Sequence, residues 1–173
     1  SSDNGPEVLR RVADAEAQPG RADRLRLAGL RKVLQEHTYS HRLAYIASKA
    51  GLAPAEVEEP EVMLLGYART AEEVTALTRH AARQTYTNLR LVVLAEPDAL
   101  AAREAASSDT ATALTLLSLQ EAARQSLTQL LGTARFLAPM VAEDYYGPNY
   151  LTDLVLATRY SDARVIGKAG CHR

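Results

Sequence analysis

The sequence predicts an α/β fold: a mostly parallel sheet flanked by helices, preceded by an all-helical segment. Three observations carry this. Short, continuous apolar runs recur from residue 61 onward, separated by stretches of helical periodicity. The first 51 residues carry helical periodicity and no such run. Residues 52–60, LAPAEVEEP, place two prolines among three acids, a linker composition. The expected organisation is therefore a helical segment 1–51, a linker 52–60 and an α/β unit 61–173.

Within the helical segment, Gly5-Pro6 opens a first helix, since proline suits the first helical turn. Val8, Leu9, Val12 and Ala13 follow helical spacing, and Pro19-Gly20 punctuates. Leu27, Leu30, Val33 and Leu34 make a second stripe. His37-Thr38-Tyr39-Ser40 interrupts it, and Leu43, Ile46, Ala47 and Ala50 make a third that stops at Gly51.

In the second part, Val62–Leu65 and Leu91–Leu94 read as strands buried on both faces. Thr70 caps a helix running to about Arg83, with Glu73 completing a capping-box pattern. A helix over 98–106, a strand over 113–117 and a helix over 119–131 follow. Phe136–Met140 is a fourth strand, with Pro139 at an edge or an end. A helix over 149–160 and a fifth strand, Ala163–Ile166, complete the alternation, which implies a parallel sheet with crossover helices.

Composition excludes several classes. Formal net charge is −1, so no global basic field points to nucleic acid. Aromatic residues are 5% with no Trp, which leaves little base-stacking surface. Cys171 is the single cysteine, so neither a disulfide framework nor a cysteine zinc site is present, and a cytoplasmic setting is compatible. No apolar run reaches the ~18 residues of a membrane span. The chain lacks an initiator Met and an N-terminal signal region, and it stops just after a strand-like run. It is expected to be a segment of a longer polypeptide.

In an open parallel sheet, ligands sit beyond the carboxyl ends of the strands. That selects residues 66–70, 95–98, 118–119 and 141–147. Glu143 and Asp144 in the last of these admit two readings. Paired carboxylates suit a divalent cation that shares its coordination with phosphate. Acids ahead of a helix also simply favour its N-terminal dipole. His37 and His41 stand one helical turn apart with no third ligand evident, and Gly167-Lys168 lacks the upstream glycine of a phosphate-binding loop. Ser118, Ser126, Ser161 and Cys171-His172 have no visible partner for nucleophilic catalysis.

Three passages resemble family 2 glycosyltransferases. Gln84-Thr85-Tyr86-Thr87-Asn88-Leu89-Arg90-Leu91-Val92-Val93 is similar to the family's "QTYPN-(L/I)-E-(L/I)-V-V". Asp144-Tyr145-Tyr146-Gly147-Pro148-Asn149-Tyr150-Leu151-Thr152-Asp153-Leu154 resembles its acidic passage "D-(A/D)-D-D-Y-Y-G-P-x-Y-L-x-D-L". Asp162-Ala163-Arg164-Val165-Ile166-Gly167-Lys168 resembles the "A-D-V-V-G-K" that follows. The resemblance implies the nucleotide-diphospho-sugar transferase (GT-A) fold, a nucleotide-sugar donor, a glycan or other acceptor, and a divalent cation, Mg2+ or Mn2+. It implies donor contacts from Tyr67, Arg69, Glu96 and Asp144, and metal contacts from Glu143 and Asp144. In the helical segment, the HTY-x-x-R pattern at His37-Thr38-Tyr39 and Arg42 resembles the closing helices of a different, two-lobed glycosyltransferase type.

The departures from the family pattern are specific. Leu94 and Ala95 stand where the family carries an acid pair, and Glu96 and Asp98 lie beyond it. Val141 and Ala142 open the acidic passage, Glu143 replaces an Asp, and Asp144 alone is kept. The family's catalytic base and acceptor residues follow this passage, so this chain alone is expected not to catalyse transfer. The leading expectation is a nucleotide-sugar-binding glycosyltransferase segment. The alternative is a non-catalytic module of the same fold used for packing or partner binding. An incomplete sheet would also offer an edge for self-association. A general nucleotide-binding Rossmann protein would need a Gly-rich fingerprint that is absent here.

Overall fold

A computed structural model describes residues 4–53, 59–100 and 113–168. The chain divides into two compact units, Ser1–Glu56 and Val57–Arg173, and the division falls within residues 52–60.

Among its described residues the first unit has three helices: α1 (Gly5–Glu16), α2 (Pro19–Glu36) and α3 (Tyr39–Lys49). Proline stands in the first turn of both α1 and α2. Thr38 caps α3, and its backbone N–H and hydroxyl reach His41 Nδ1 at 3.2 and 2.6 Å. At the other end Gly51 turns at φ +74°, while Leu52 N–H donates to Ala47 O and Gly51 N–H to Ser48 O. That paired pattern closes a helix and favours glycine in the left-handed position. Ala22 is the one buried hydrophobic residue among the described residues of this unit. Leu43 and Ile46 of the α3 stripe are 65% and 61% exposed.

The second unit is built on four parallel strands in the order β3-β2-β1-β4: β1 (Val62–Ala68), β2 (Leu89–Ala95), β3 (Ala113–Ser118) and β4 (Phe136–Met140). Helix α4 (Ala71–Ala82) joins β1 to β2, and the short α5 (Pro97–Leu100) follows β2. Residues 101–106 of the expected helix after β2 lie outside the described residues, as do Cys171 and His172 and most of the linker. Val62, Leu64, Leu91, Val93, Leu116, Ala138 and Met140 alternate along the strands onto one face. There they meet Val74, Leu77 and Ala81 of α4 and Leu151 and Val155 of α8 (Tyr150–Ala157). Gly66 lies on this face, and a Cβ there would come within 2.6 Å of a Leu77 methyl. The absence of a side chain at Gly66 is what lets α4 approach β1. On the opposite face Met63 and Val92 are buried, while Tyr67, Leu137 and Pro139 are exposed.

Three expectations need correction. The single helix over 119–131 is two short ones, α6 (Leu119–Ala123) and α7 (Leu127–Leu131). Ser126 causes the break: its hydroxyl accepts from Gln129 N–H, and the Gln129 side chain accepts from Ser126 N–H, which starts a new helix. The helix expected over 149–160 ends at Ala157, and on it Leu154 is half-buried, while Leu151 and Val155 carry the α8 contact. Finally, Ala163–Ile166 forms no strand, and Val165 is 88% exposed.

The outer edge of β4 explains the missing strand. Phe136 N–H donates inward to Glu61 O, so alternate residues Leu137, Pro139 and Val141 turn their backbone outward. Pro139 has no N–H to offer, and Val141 N–H is taken by the Tyr146 hydroxyl at 3.0 Å. Leu137 alone is left as an outward donor, too little for another ladder. The 161–168 segment is instead tied to α8, where Lys168 Nζ meets Asp153 Oδ2 at 2.6 Å.

Candidate crevice at the topological switch

The chain lays down β1, β2 and β3 in one direction, then returns to place β4 on the far side of β1. The loops that leave β1 and β4 diverge there, and the crevice between them is where open α/β sheets take ligands. Arg69 follows β1, and Glu143 follows β4. They meet across this crevice, Arg69 Nη2 to Glu143 Oε1 at 3.6 Å. Both are largely exposed, at 62% and 65% of their side chains.

Arg69 is also held from below. Glu73, in the first turn of α4, accepts from Arg69 Nη2 at 2.9 Å and from its backbone N–H. Thr70 caps the same helix by accepting from Glu73 N–H. These contacts hold the Glu73 carboxyl below the usual carboxylate range, chiefly through the Arg69 backbone N–H and then its guanidinium. They also raise Arg69 further, led by the hydrogen bond to Glu73. Exposed ion pairs of this kind are screened by solvent and weak, so Arg69 can exchange these partners for a phosphate at little cost.

Tyr67 and Glu96 form a second pair at the ends of β1 and β2. The Tyr67 hydroxyl donates to Glu96 Oε1 at 2.9 Å, and its ring is 45% exposed. That hydrogen bond is the main cause of the raised Tyr67 pKa. Tyr67 belongs to the strand rather than the loop, because β1 runs to Ala68. Glu96 also accepts from Ala99 and Leu100 N–H through its carbonyl, starting α5.

Asp144 does not cap α8. The residue at that helix start is Asn149, and it makes no side-chain cap. Asp144 is exposed, and the Tyr146 hydroxyl approaches its Oδ2 at 3.4 Å. Burial, first among the causes, raises the pKa of Tyr146. Two adjacent carboxylates meet the minimum that Mg2+ takes from a protein, the other positions falling to water and phosphate. Among the described residues no group of three or more His, Cys, Asp or Glu side chains converges as a metal centre. Val141 offers no ligand atom, and Glu143 already faces a cation.

The passages around residues 84–88 and 147–152 lie against each other. Gln84 is buried; it donates to Gly147 O at 3.1 Å and accepts from Leu151 N–H at 3.1 Å. The Thr85 hydroxyl reaches Asn149 Oδ1 and Thr152 Oγ1, each at 2.9 Å. Tyr86 donates to Pro60 O, and Asn88 to Glu59 O. All four side chains shape backbone and none faces the crevice loops' acids.

Several sequence candidates resolve into structural roles. Ser118 and Ser126 cap α6 and α7. His41 accepts at the α3 start, and His37 lies 3.7 Å from Glu36 Oε2. What the sequence did not reveal is His80. Its Nε2 meets Ala142 O at 3.1 Å, and its ring lies edge-on to Tyr146 at 5.4 Å. A histidine in the last turn of a helix carries no spacing signal for such a contact.

Among the described residues no helix is long and apolar enough to cross a membrane. No protein-family model, curated protein or solved structure matches the chain.

Proposed function

We propose that the α/β unit binds the nucleoside diphosphate of a nucleotide-sugar donor in the crevice between β1 and β4, as the donor half of a GT-A-type glycosyltransferase. The observation that carries this is the meeting of Arg69 and Glu143 at the topological switch. Support also comes from the contact between the two passages with family resemblance, Gln84-Thr85 against Gly147–Thr152. Arg69 would turn from its exposed carboxylate partners to the diphosphate, next to the N-terminus of α4. Tyr67 offers an exposed ring to the base, and Glu96 a carboxylate to a ribose hydroxyl. A divalent cation, Mg2+ or Mn2+, suits Asp144 with Glu143 and would neutralise the departing diphosphate. The sugar would pass to a glycan or other acceptor.

A non-catalytic module of the same fold is the second reading, favoured by Val141 at the strand end and by the carboxylates already flanking Arg69. Titration calorimetry with UDP, with and without Mn2+, separates the two. The proposal expects Mn2+-dependent binding, abolished in Asp144→Ala and weakened at least about tenfold in Arg69→Ala. A folded chain that binds no nucleotide diphosphate under either condition supports the module.

A further inference from the structure

We infer that His80 is a positioning residue for this crevice: by fixing the carbonyl of Ala142 it sets the loop that carries Glu143 and Asp144. The inference rests on the donor-binding reading, and His80 itself touches no ligand.

The loop leaves β4 at Met140 and reaches α8 at Tyr150. It contains a Gly-Pro pair, its two acids are exposed, Asp144 N–H turns back to Val141 O, and Gln84 holds Gly147. Two further anchors hold the part that carries the acids. Tyr146 is buried, and its hydroxyl accepts from Val141 N–H, which closes the loop on itself. His80 ties the loop to α4, because its Nε2 lies 3.1 Å from Ala142 O. A carbonyl only accepts, so Nε2 donates a proton to it. Among the described residues Nδ1 is buried without a hydrogen-bond partner. A buried polar atom left unpaired costs free energy. The fold bears that cost while the other ring nitrogen makes a hydrogen bond from α4 to the loop that a shorter or apolar side chain would lose. The His80 ring also lies edge-on to Tyr146, so both anchors bear on each other.

The consequence is geometric. Residues 143 and 144 lie between a point fixed at 142 and another fixed at 146. α4 begins beside Arg69 and carries His80 in its last turn, so one rigid helix aligns both sides of the crevice. Loss of the His80 tie frees Glu143 from its place opposite Arg69 while leaving the sheet core intact.

The test uses the whole chain with His80→Phe, which keeps a ring but no donor, and His80→Gln, which restores an N–H near the Nε2 position. Two readouts are taken. Amide hydrogen exchange at Val141 and Asp144 is expected to rise at least about fivefold in His80→Phe and to recover in His80→Gln, with Leu151, held by Gln84, unchanged. UDP affinity in the presence of Mn2+ is expected to fall by a similar factor and recover in the same variant. Unchanged exchange at Val141 and Asp144 in His80→Phe overturns the inference whether or not nucleotide binds. So does loosened exchange with full UDP affinity. Absence of UDP binding by the unaltered chain, with exchange behaving as expected, overturns the donor reading and leaves His80 as the anchor of a loop with another ligand.

Discussion

The two units use similar sequence patterns to different ends. In α1–α3 the apolar stripes are regular, Thr38 caps α3 and Gly51 closes it, yet among the described residues Ala22 alone is buried. In the α/β unit the apolar runs are shorter, and Met63, Leu64, Leu77 and Leu91 are fully enclosed. Periodicity and capping make helices; they do not make a core. The sheet does so because each strand supplies two faces and a ladder, and the helix opposite supplies the third side. An amphipathic helix without such a surface keeps its stripe in water.

The largest test of this contrast removes equal side chains from the two units. Leu77→Ala should destabilise the α/β unit by about 2–5 kcal/mol, read by chemical denaturation. A loss near zero would mean that α4 does not pack as described. Gly66→Ala comes next, at about 1–3 kcal/mol, because the new methyl group overlaps Leu77. Gly66→Ala in a Leu77→Ala background should cost less than in the native chain, since the clashing methyl groups are gone.

Alkaline stability offers a third handle. Burial pushes the Tyr86 hydroxyl up to about 12, so the folded state holds its proton more tightly than the unfolded chain, whose value is near 10. The resulting stability is complete below pH ~10 and is lost as pH rises through about 12. Tyr86→Phe should flatten that part of the profile. A slope that persists unaltered assigns it to Tyr146 and Tyr150, whose hydroxyls burial also raises.

The smallest effects belong to the helical unit. Gly29→Ala meets open space in the interior of α2 and should raise helicity, worth about 0.5–1 kcal/mol by circular dichroism. Leu43→Ala, at an exposed site, should stay within about 0.5 kcal/mol. A loss comparable to that of Leu77→Ala would show that the α3 stripe is covered in solution.

Much of the fold was legible because its signals are local. Apolar runs placed four strands, and the Thr70 cap with Glu73 is a property of adjacent residues. The fifth strand failed because pairing depends on a neighbour's edge, and that edge is closed by Pro139 together with Tyr146, a residue further along the chain. The split at Ser126 was missed because a hydroxyl in an apolar period does not interrupt the period. Beyond the strand ends, the sequence singled out Tyr67, Arg69, Glu96, Glu143 and Asp144, but not the pairing of Tyr67 with Glu96 or of Arg69 with Glu143. It could not foresee that Glu143 rather than Asp144 meets Arg69, or that His80 holds their loop. Those contacts join residues more than sixty positions apart, and no period spans that distance.

The closed outer side of β4 leaves β3 as the sheet's other flank, and among the described residues no strand follows it. A protomer with one competent flank is monovalent for strand addition. Two copies joined β3 to β3 about a twofold axis would use up both flanks and present only blocked ones to a third. In any assembly through this sheet, the proline and the tyrosine hydroxyl would act as a chain terminator, ending it at a pair rather than letting it propagate into a fibre.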